Sequence, residues 1–248
     1  MSDLGFSAGT RGLIPMSRMR DIRVHLSCPI EIIGSGGTAE AVVARRHGCE
    51  TAGLLDMAIL NIPEKEINLK IVYYGTGLGG KTTNLRYIHN QLSPACRGDM
   101  ISLMTETERT LFFDYMALDL GTVQGFTVRL SLYTVPGQVE YNASRKLILN
   151  GVDGIIFVAD SDLIRAQENI ESLENMIENL NEYNVSLATI PWVLQYNKRD
   201  LSNAMPVQRM EKDCNIYNVP SFESIASDGL GVFATLKAVA KTILNRLQ

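Results

Sequence analysis

Residues 73–84, "YYGTGLGGKTTN", hold four glycines and a single charge, Lys81. They follow the apolar run "LKIV" (69–72) and precede "LRYIHN" (85–90), which continues as a helix. Gly75, four further residues, then Gly80, Lys81 and Thr82 match the spacing G-x-x-x-x-G-K-[ST]. Glycines let the backbone turn tightly and aim successive N–H groups inward, forming an anion nest. A helix beginning near Gly80 adds the positive end of its dipole. Lys81 supplies a point charge for the β- and γ-phosphates of a nucleotide, and the Thr82 hydroxyl an oxygen ligand for Mg²⁺. Gly77, Gly79 and Thr83 complete the candidate loop; Gly79 sits where a side chain is expected to be tolerated. A glycine-rich turn beside a chance lysine is the alternative. It leaves the preceding strand and the following helix unexplained.

Outward from this loop the pattern is regular. "INLKIVYYG" (67–75), "GIIFVAD" (154–160) and "IPWVLQYN" (190–197) are short apolar runs ending in polar residues or Gly. Such runs fit parallel strands covered on both faces. Between 165 and 183, Ile170, Leu173, Ile177 and Leu180 form one helical stripe. Phe233, Leu236, Val239, Ile243 and Leu247 repeat the device near the end. "LFFDYMAL" (111–118) and "FTVRLSLYTV" (126–135), separated by "GTVQG", predict an antiparallel pair added to the sheet. Strand alternating with helix predicts an α/β fold, with helices on both faces of a mostly parallel central sheet.

The loop alone does not choose a base. "NKRD", Asn197 to Asp200, follows the strand over 190–196 directly. In a doubly wound sheet, ligands sit outside the carboxyl ends of the strands. The Asp200 carboxylate can accept from N1–H and the 2-amino group of guanine. Adenine has neither donor and would leave the carboxylate unpaired, which is the stronger source of discrimination. Asn197 can bond the other edge of the base, and the Lys198 stem can cover its face.

Composition sets the bounds. The 248 residues suffice for one domain plus an appendage, and 46% apolar content suffices for a core. A net charge of −4 argues against nucleic acid as partner. Cys28, Cys49, Cys96 and Cys214 are scattered, with no metal-ligand spacing, and read as free thiols in a reducing compartment. No apolar run reaches the ~20 residues of a membrane span, and no prenylation or myristoylation signal is present. Residues 1–56 carry six Arg, no Lys and six acidic residues. With "GSGGT" at 34–38, Pro15 and Pro29, they read as a mostly disordered leader. Only "AEAVVARR" (39–46) suggests two helical turns. Arg18, Arg20 and Arg23 before "VHLSCPIEII" imitate a signal peptide, but Pro29 and Glu31 break the apolar stretch.

"NKRD" is also the N-K-x-D element of Ras-like small GTPases. "MISLMTETERTLFF" (100–113), "LYTVPGQVEYNASRKLILNGVDG" (132–154) and "QYNKRDL" (195–201) resemble the MglA-like subfamily. The resemblance runs from Met57 to the C-terminus and implies a P-loop NTPase with a Ras-like G domain over 57–248. It implies a GTP/GDP switch that hydrolyses GTP and governs cell polarity or gliding motility. It further implies a cytoplasmic protein clustered at a cell pole, with a Roadblock-type, MglB-like activator and polarity effectors as partners. On the same resemblance, Thr110 closes on Mg²⁺ and the γ-phosphate, Gly137 offers its N–H to that phosphate, and Gln138 orients the attacking water. Arg109 is an arginine supplied in cis, and the Ala226 N–H meets the guanine carbonyl.

Phosphoryl transfer to water asks for positioning and charge neutralisation, which Lys81, Mg²⁺, Arg109 and Gln138 can supply. Without GTP, Arg109 is expected to pair with Glu106 or Glu108. Tyr141 and Arg145 read as partner or packing residues. One departure stands out: "TVPG" puts Thr134 where Ras relatives carry the D-x-x-G aspartate. Slow hydrolysis is expected in consequence, with a nucleotide-gated scaffold as the alternative function. Asp114 is a carboxylate near in sequence. Met57 lies ten residues before Ile67, so residues 1–56 are either upstream of the start in use or a genuine tail; the intact mass of the native protein separates the two.

Overall fold

The computed structural model describes residues 65–103, 113–123, 125–138 and 141–246, with short strand segments at Glu31–Ile32, Ala44–Arg45 and Ile59–Asn61. Strands β1 (Ile59–Asn61), β2 (Glu66–Gly75), β3 (Ile101–Leu103), β4 (Phe113–Val123), β5 (Phe126–Thr134), β6 (Gly154–Asp160), β7 (Trp192–Asn197) and β8 (Ser221–Glu223) form one sheet. Its order is β8-β7-β6-β2-β5-β4-β3, with β1 laid antiparallel on the start of β2. The four central pairings, from β8 to β5, are parallel; β4 and β3 add antiparallel at one edge. The α/β expectation is met, including the antiparallel pair. The hairpin turn is tighter than "GTVQG" suggested. Strand pairing runs to Val123, and Gly121 instead marks an irregularity, its N–H held by Asp119 Oδ1 at 2.7 Å.

Helices α1 (Lys81–Gln91) and α5 (Val232–Arg246) cover one face; α2 (Asn142–Leu149), α3 (Ala166–Asn181) and α4 (Val207–Cys214) cover the other. Alternation along β2 divides its side chains between two cores. Ile67, Leu69, Ile71 and Tyr73 pack under α1 and α5; Val72 and Tyr74 pack under α2 and α3. β6 is buried along its whole length, as a central strand covered on both faces must be. Each buried aliphatic side chain contributes ~1.5–3 kcal/mol, so this double layer holds the strand ends in fixed relation.

Residues 1–56 lie outside the described residues except for one antiparallel pair, Glu31–Ile32 with Ala44–Arg45. Of the span 39–46, where two helical turns were expected, only Ala44–Arg45 is described, and it is strand; the rest of that expectation lies outside the described residues. Among the described cysteines, Cys96 and Cys214 are free and buried. Among the described residues no helix is long and apolar enough to cross a membrane.

Candidate functional site

The loop 75–80 joins the end of β2 to α1 and passes against Val158 of β6 and Asn197 at the end of β7. Gly75 is at φ 134°, and a Cβ there would meet the Val158 carbonyl oxygen at 2.1 Å. Gly80, at φ 102°, lies so close to Asn197 that a Cβ would meet its Nδ2 at 2.1 Å. Both positions therefore require glycine. Gly79 lacks the positive φ of its neighbours; a Cβ there would lie 2.8 Å from Thr76 Oγ1 and 3.3 Å from the Thr76 carbonyl, so a side chain needs Thr76 to shift. The first helical bond is Asn84 N–H to Gly80 O, 3.0 Å. It leaves the Lys81, Thr82 and Thr83 amides at the open, electropositive end of α1.

Lys81 is 6% exposed, and its Nζ donates to the Gly75 and Thr76 carbonyls at 2.9 and 2.6 Å. Burial, and secondarily the Arg145 guanidinium, lower its ammonium to about 7; the Asp114 carboxylate opposes them. A phosphate brought against Lys81 favours the charged form. The cavity beside it, of about 350 Å³, is lined by Lys81, Thr82, Asp114, Thr134 and Gly137 among others.

Asp114 answers the question that Thr134 raises. Its carboxyl accepts from Thr82 Oγ1 at 2.5 Å, Thr134 Oγ1 at 2.9 Å and Ser102 Oγ at 2.7 Å. Its own N–H donates to Thr134 Oγ1 at 2.9 Å. The carboxylate missing from "TVPG" is thus offered by the neighbouring strand, one hydrogen bond from the Thr82 hydroxyl. Thr82, Asp114 and Thr134 form an all-oxygen donor set suited to a hard cation. Among the described residues no group of three or more His, Cys, Asp or Glu gathers to hold a metal.

At the other end, Asn197 is 2% exposed. Its amide ties two loops together: Nδ2 donates to Gly79 O at 2.8 Å, and Oδ1 accepts the Ala226 N–H at 2.9 Å. The N–H assigned to the guanine carbonyl thus has a protein partner. Lys198, at φ 64°, is paired through Nζ with the fully buried Asp160 at 2.6 Å. Asp160 stands opposite Asn197 at the ends of β6 and β7. Asp200 is exposed beyond them.

The turn over Pro136, Gly137 and Gln138 closes the remaining side: a Cβ on Gly137 would lie 2.2 Å from Gly77 Cα, backbone against backbone. Gln138 itself is exposed. The loop and the carboxylate beside its threonine therefore share one cavity, and Asn197 of the "NKRD" tetrad is tied to the loop's Gly79 carbonyl. A family model for the ADP-ribosylation factor family matches residues 57–246. The chain belongs to that family. It is also 57% identical over 192 residues to the mutual gliding-motility protein MglA of Myxococcus xanthus (strain DK1622), covering 77% of this chain and 98% of that protein. It is an MglA-like small GTPase, a switch that binds GTP and GDP and hydrolyses GTP.

In this GTPase Gly80, Lys81, Thr82, Thr83 and Gly137 line the cavity; Gly75, Gly77 and Gly79 belong to the same loop, and Asn197 ties that loop to Ala226. Arg109 and Thr110 lie outside the described residues. Ser102 and Asp160 had no assigned role in the sequence, Asp114 was only a carboxylate near Thr134, and Arg145 read as a partner or packing residue. For Asp114 a signal existed: it shares the inward face of its strand with Met116 and Leu118, where a lone carboxylate calls for an explanation.

Proposed function

We propose that this GTPase controls gliding motility and cell polarity, with its nucleotide state as the signal. The observation that carries the switch reading is Asn197, which locks the phosphate loop to the base loop so that one ligand must satisfy both. Lys81 and the open amides of α1 receive the β- and γ-phosphates. Thr82 and Thr110 are the metal ligands, and Asp114 supplies the negative charge that Thr134 lacks. Mg²⁺ held there neutralises phosphate charge and orients the triphosphate. Gln138 positions the attacking water, and Arg109 offsets charge that develops on the phosphoryl oxygens. Gly137 offers its N–H to the γ-phosphate, and Asp200 with Lys198 selects guanine.

Thr134 is the reason a scaffold with negligible hydrolysis stands as the alternative. Asp114 beside Thr82 removes much of that reason. The name of the Myxococcus relative supports the motility role. We further propose a cytoplasmic location, clustered at a cell pole, and a Roadblock-type MglB-like activator as partner.

Nucleotide binding with Mg²⁺ tests the core of this. GTP and GDP are expected to bind far more tightly than ATP. Asp200→Asn is expected to weaken GTP and to improve xanthosine triphosphate, whose base presents a carbonyl in place of the amino donor. An unchanged base preference removes Asp200 from the site.

A further inference from the structure

Arg145 sits on α2 and is 4% exposed, yet no carboxylate is among its hydrogen-bond partners in the described structure. Its Nε donates to Pro136 O at 2.9 Å; Nη2 donates to Gly137 O and Gln138 O, both at 2.8 Å. Nη1 donates to Asn175 Oδ1 at 2.6 Å. One buried cation therefore gathers three successive carbonyls of the turn that carries Gly137 and Gln138. The guanidinium also lies over the Tyr74 ring, 5.9 Å from its centroid. Tyr74 in turn donates to Asn175 at 2.7 Å, so β2 and α3 both brace the arginine.

We infer that Arg145 is the positioning residue for the catalytic turn. The inference rests on the roles proposed above for Gly137 and Gln138. The geometry is that of the peptide unit. Among the described residues every peptide bond is trans, so within each unit the carbonyl and the next N–H point in opposite directions. Drawing the Pro136 carbonyl toward Arg145 turns the Gly137 N–H the other way. Drawing the Gly137 carbonyl does the same to the Gln138 N–H. Gly137 lines the phosphate cavity and Arg145 does not, so the arginine acts from behind the turn. Gly137, backed against Gly77, has no room to re-orient by sliding. A lysine cannot reproduce the hold, because three carbonyls are met by a planar fork with fixed N–H directions.

The test uses Arg145→Lys and Arg145→Gln in the full chain, beside Gln138→Leu. Three quantities are read: GDP affinity, the ratio of GTP to GDP affinity, and single-turnover hydrolysis. A displaced turn leaves GDP affinity within about threefold, lowers the GTP-to-GDP ratio, and slows hydrolysis by ~10²-fold, the cost of a misplacement on the order of 1 Å. Because Arg145 acts through Gln138 as well as through the Gly137 N–H, the double variant with Gln138→Leu is expected to lose clearly less than the product of the two single losses. Arg145→Lys carries the test if Arg145→Gln does not fold. Parent-like hydrolysis in Arg145→Lys beside an impaired Gln138→Leu overturns the inference and leaves the GTPase reading intact. Equal losses of GTP and GDP affinity, or multiplicative losses in the double variant, also overturn it, since general packing damage predicts both. An unimpaired Gln138→Leu overturns the role of Gln138 and this inference with it.

Discussion

Asp114 carries its charge into a position that β-strand alternation assigns to the core, at 9% exposure. Three hydroxyls, from Thr82, Ser102 and Thr134, hydrogen-bond its carboxyl. Hydrogen bonds to the charged form stabilise it against burial. The exchange of aspartate for threonine at 134 is thus half of a pair, with the charge moved to the adjacent strand and the hydroxyl left to orient it. If so, Asp114→Asn removes the charge while keeping an acceptor. The Mg²⁺ concentration that half-stabilises the GTP complex should rise about tenfold or more, from loss of charge-assisted bonding of ~1.5–3 kcal/mol. Titration of nucleotide release against Mg²⁺ reads this. An unchanged midpoint would leave the metal to Thr82, Thr110 and phosphate alone. Sequence could place Asp114 within twenty residues of Thr134, but only strand pairing shows that the two touch.

At the scale of elements, the strands were legible and the helix faces only partly so. The run 154–160 became β6 unchanged, because a central parallel strand needs apolar residues on both sides. In α3 the apolar stripe Ile170, Leu173, Ile177, Leu180 predicted the buried face. Leu173 and Leu180 are buried as expected and Ile177 packs partly buried against the core, but the other buried residues are Asn169, Ser172, Met176 and Asn179. The helix is rotated toward its asparagines. Asn169 bonds the Asp160 backbone from both ends of its amide, and Asn179 donates to Tyr74 Oη and Asn142. A hydrophobicity pattern counts asparagine as solvent-facing and cannot see partners on other elements. A second element-level contact joins β2 to the start of β6. The Lys70 N–H donates to Asp153 Oδ2 at 2.6 Å, and the Asp153 N–H returns to Lys70 O at 2.9 Å. Burial pushes the Asp153 carboxyl up to about 7, against the Lys70 N–H and ammonium. Its folded pKa is above its unfolded value, so between about pH 4 and 7 the native state holds the extra proton. Stability from this group is therefore present at low pH and lost as pH rises toward 7. Asp153→Asn keeps the acceptor and cannot ionise. The variant should gain on the parent across that window, by up to about 4 kcal/mol, in denaturant unfolding measured at each pH. A constant difference would assign the contact no proton linkage.

For the whole molecule, the change of character at residue 57 coincides with the start of the family match, and the central sheet with its covering helices falls within 59–246. The periodic segments of the sequence begin at residue 67, inside this matched span, while residues 1–56 offered no sustained period. What the sequence did not reveal was β1, three residues whose only distinguishing feature is where they pair. Ile59–Asn61 lies along Asn68–Glu66, completing the side of β2 that β6 reaches only from Ile71 onward. Glu66 also pairs with Arg129 at 2.9 Å, fastening the start of β2 to β5. Two truncations separate the contributions. A chain beginning at Met57 retains every pairing of the central sheet and is expected to melt within about 2 °C of the full chain, with GTP affinity unchanged. A chain beginning at Ile67 loses β1 and the Glu66–Arg129 pair, exposes the backbone edge of β2, and is expected to melt lower by several degrees, roughly 2–4 °C for each kcal/mol lost. The nucleotide cleft lies at the opposite end of β2, so affinity for GTP should fall far less than stability does. A Met57 chain that melts well below the parent would make residues 1–56 part of the folded body, and a uniform loss of affinity in both truncations would mean that the two ends of β2 are coupled.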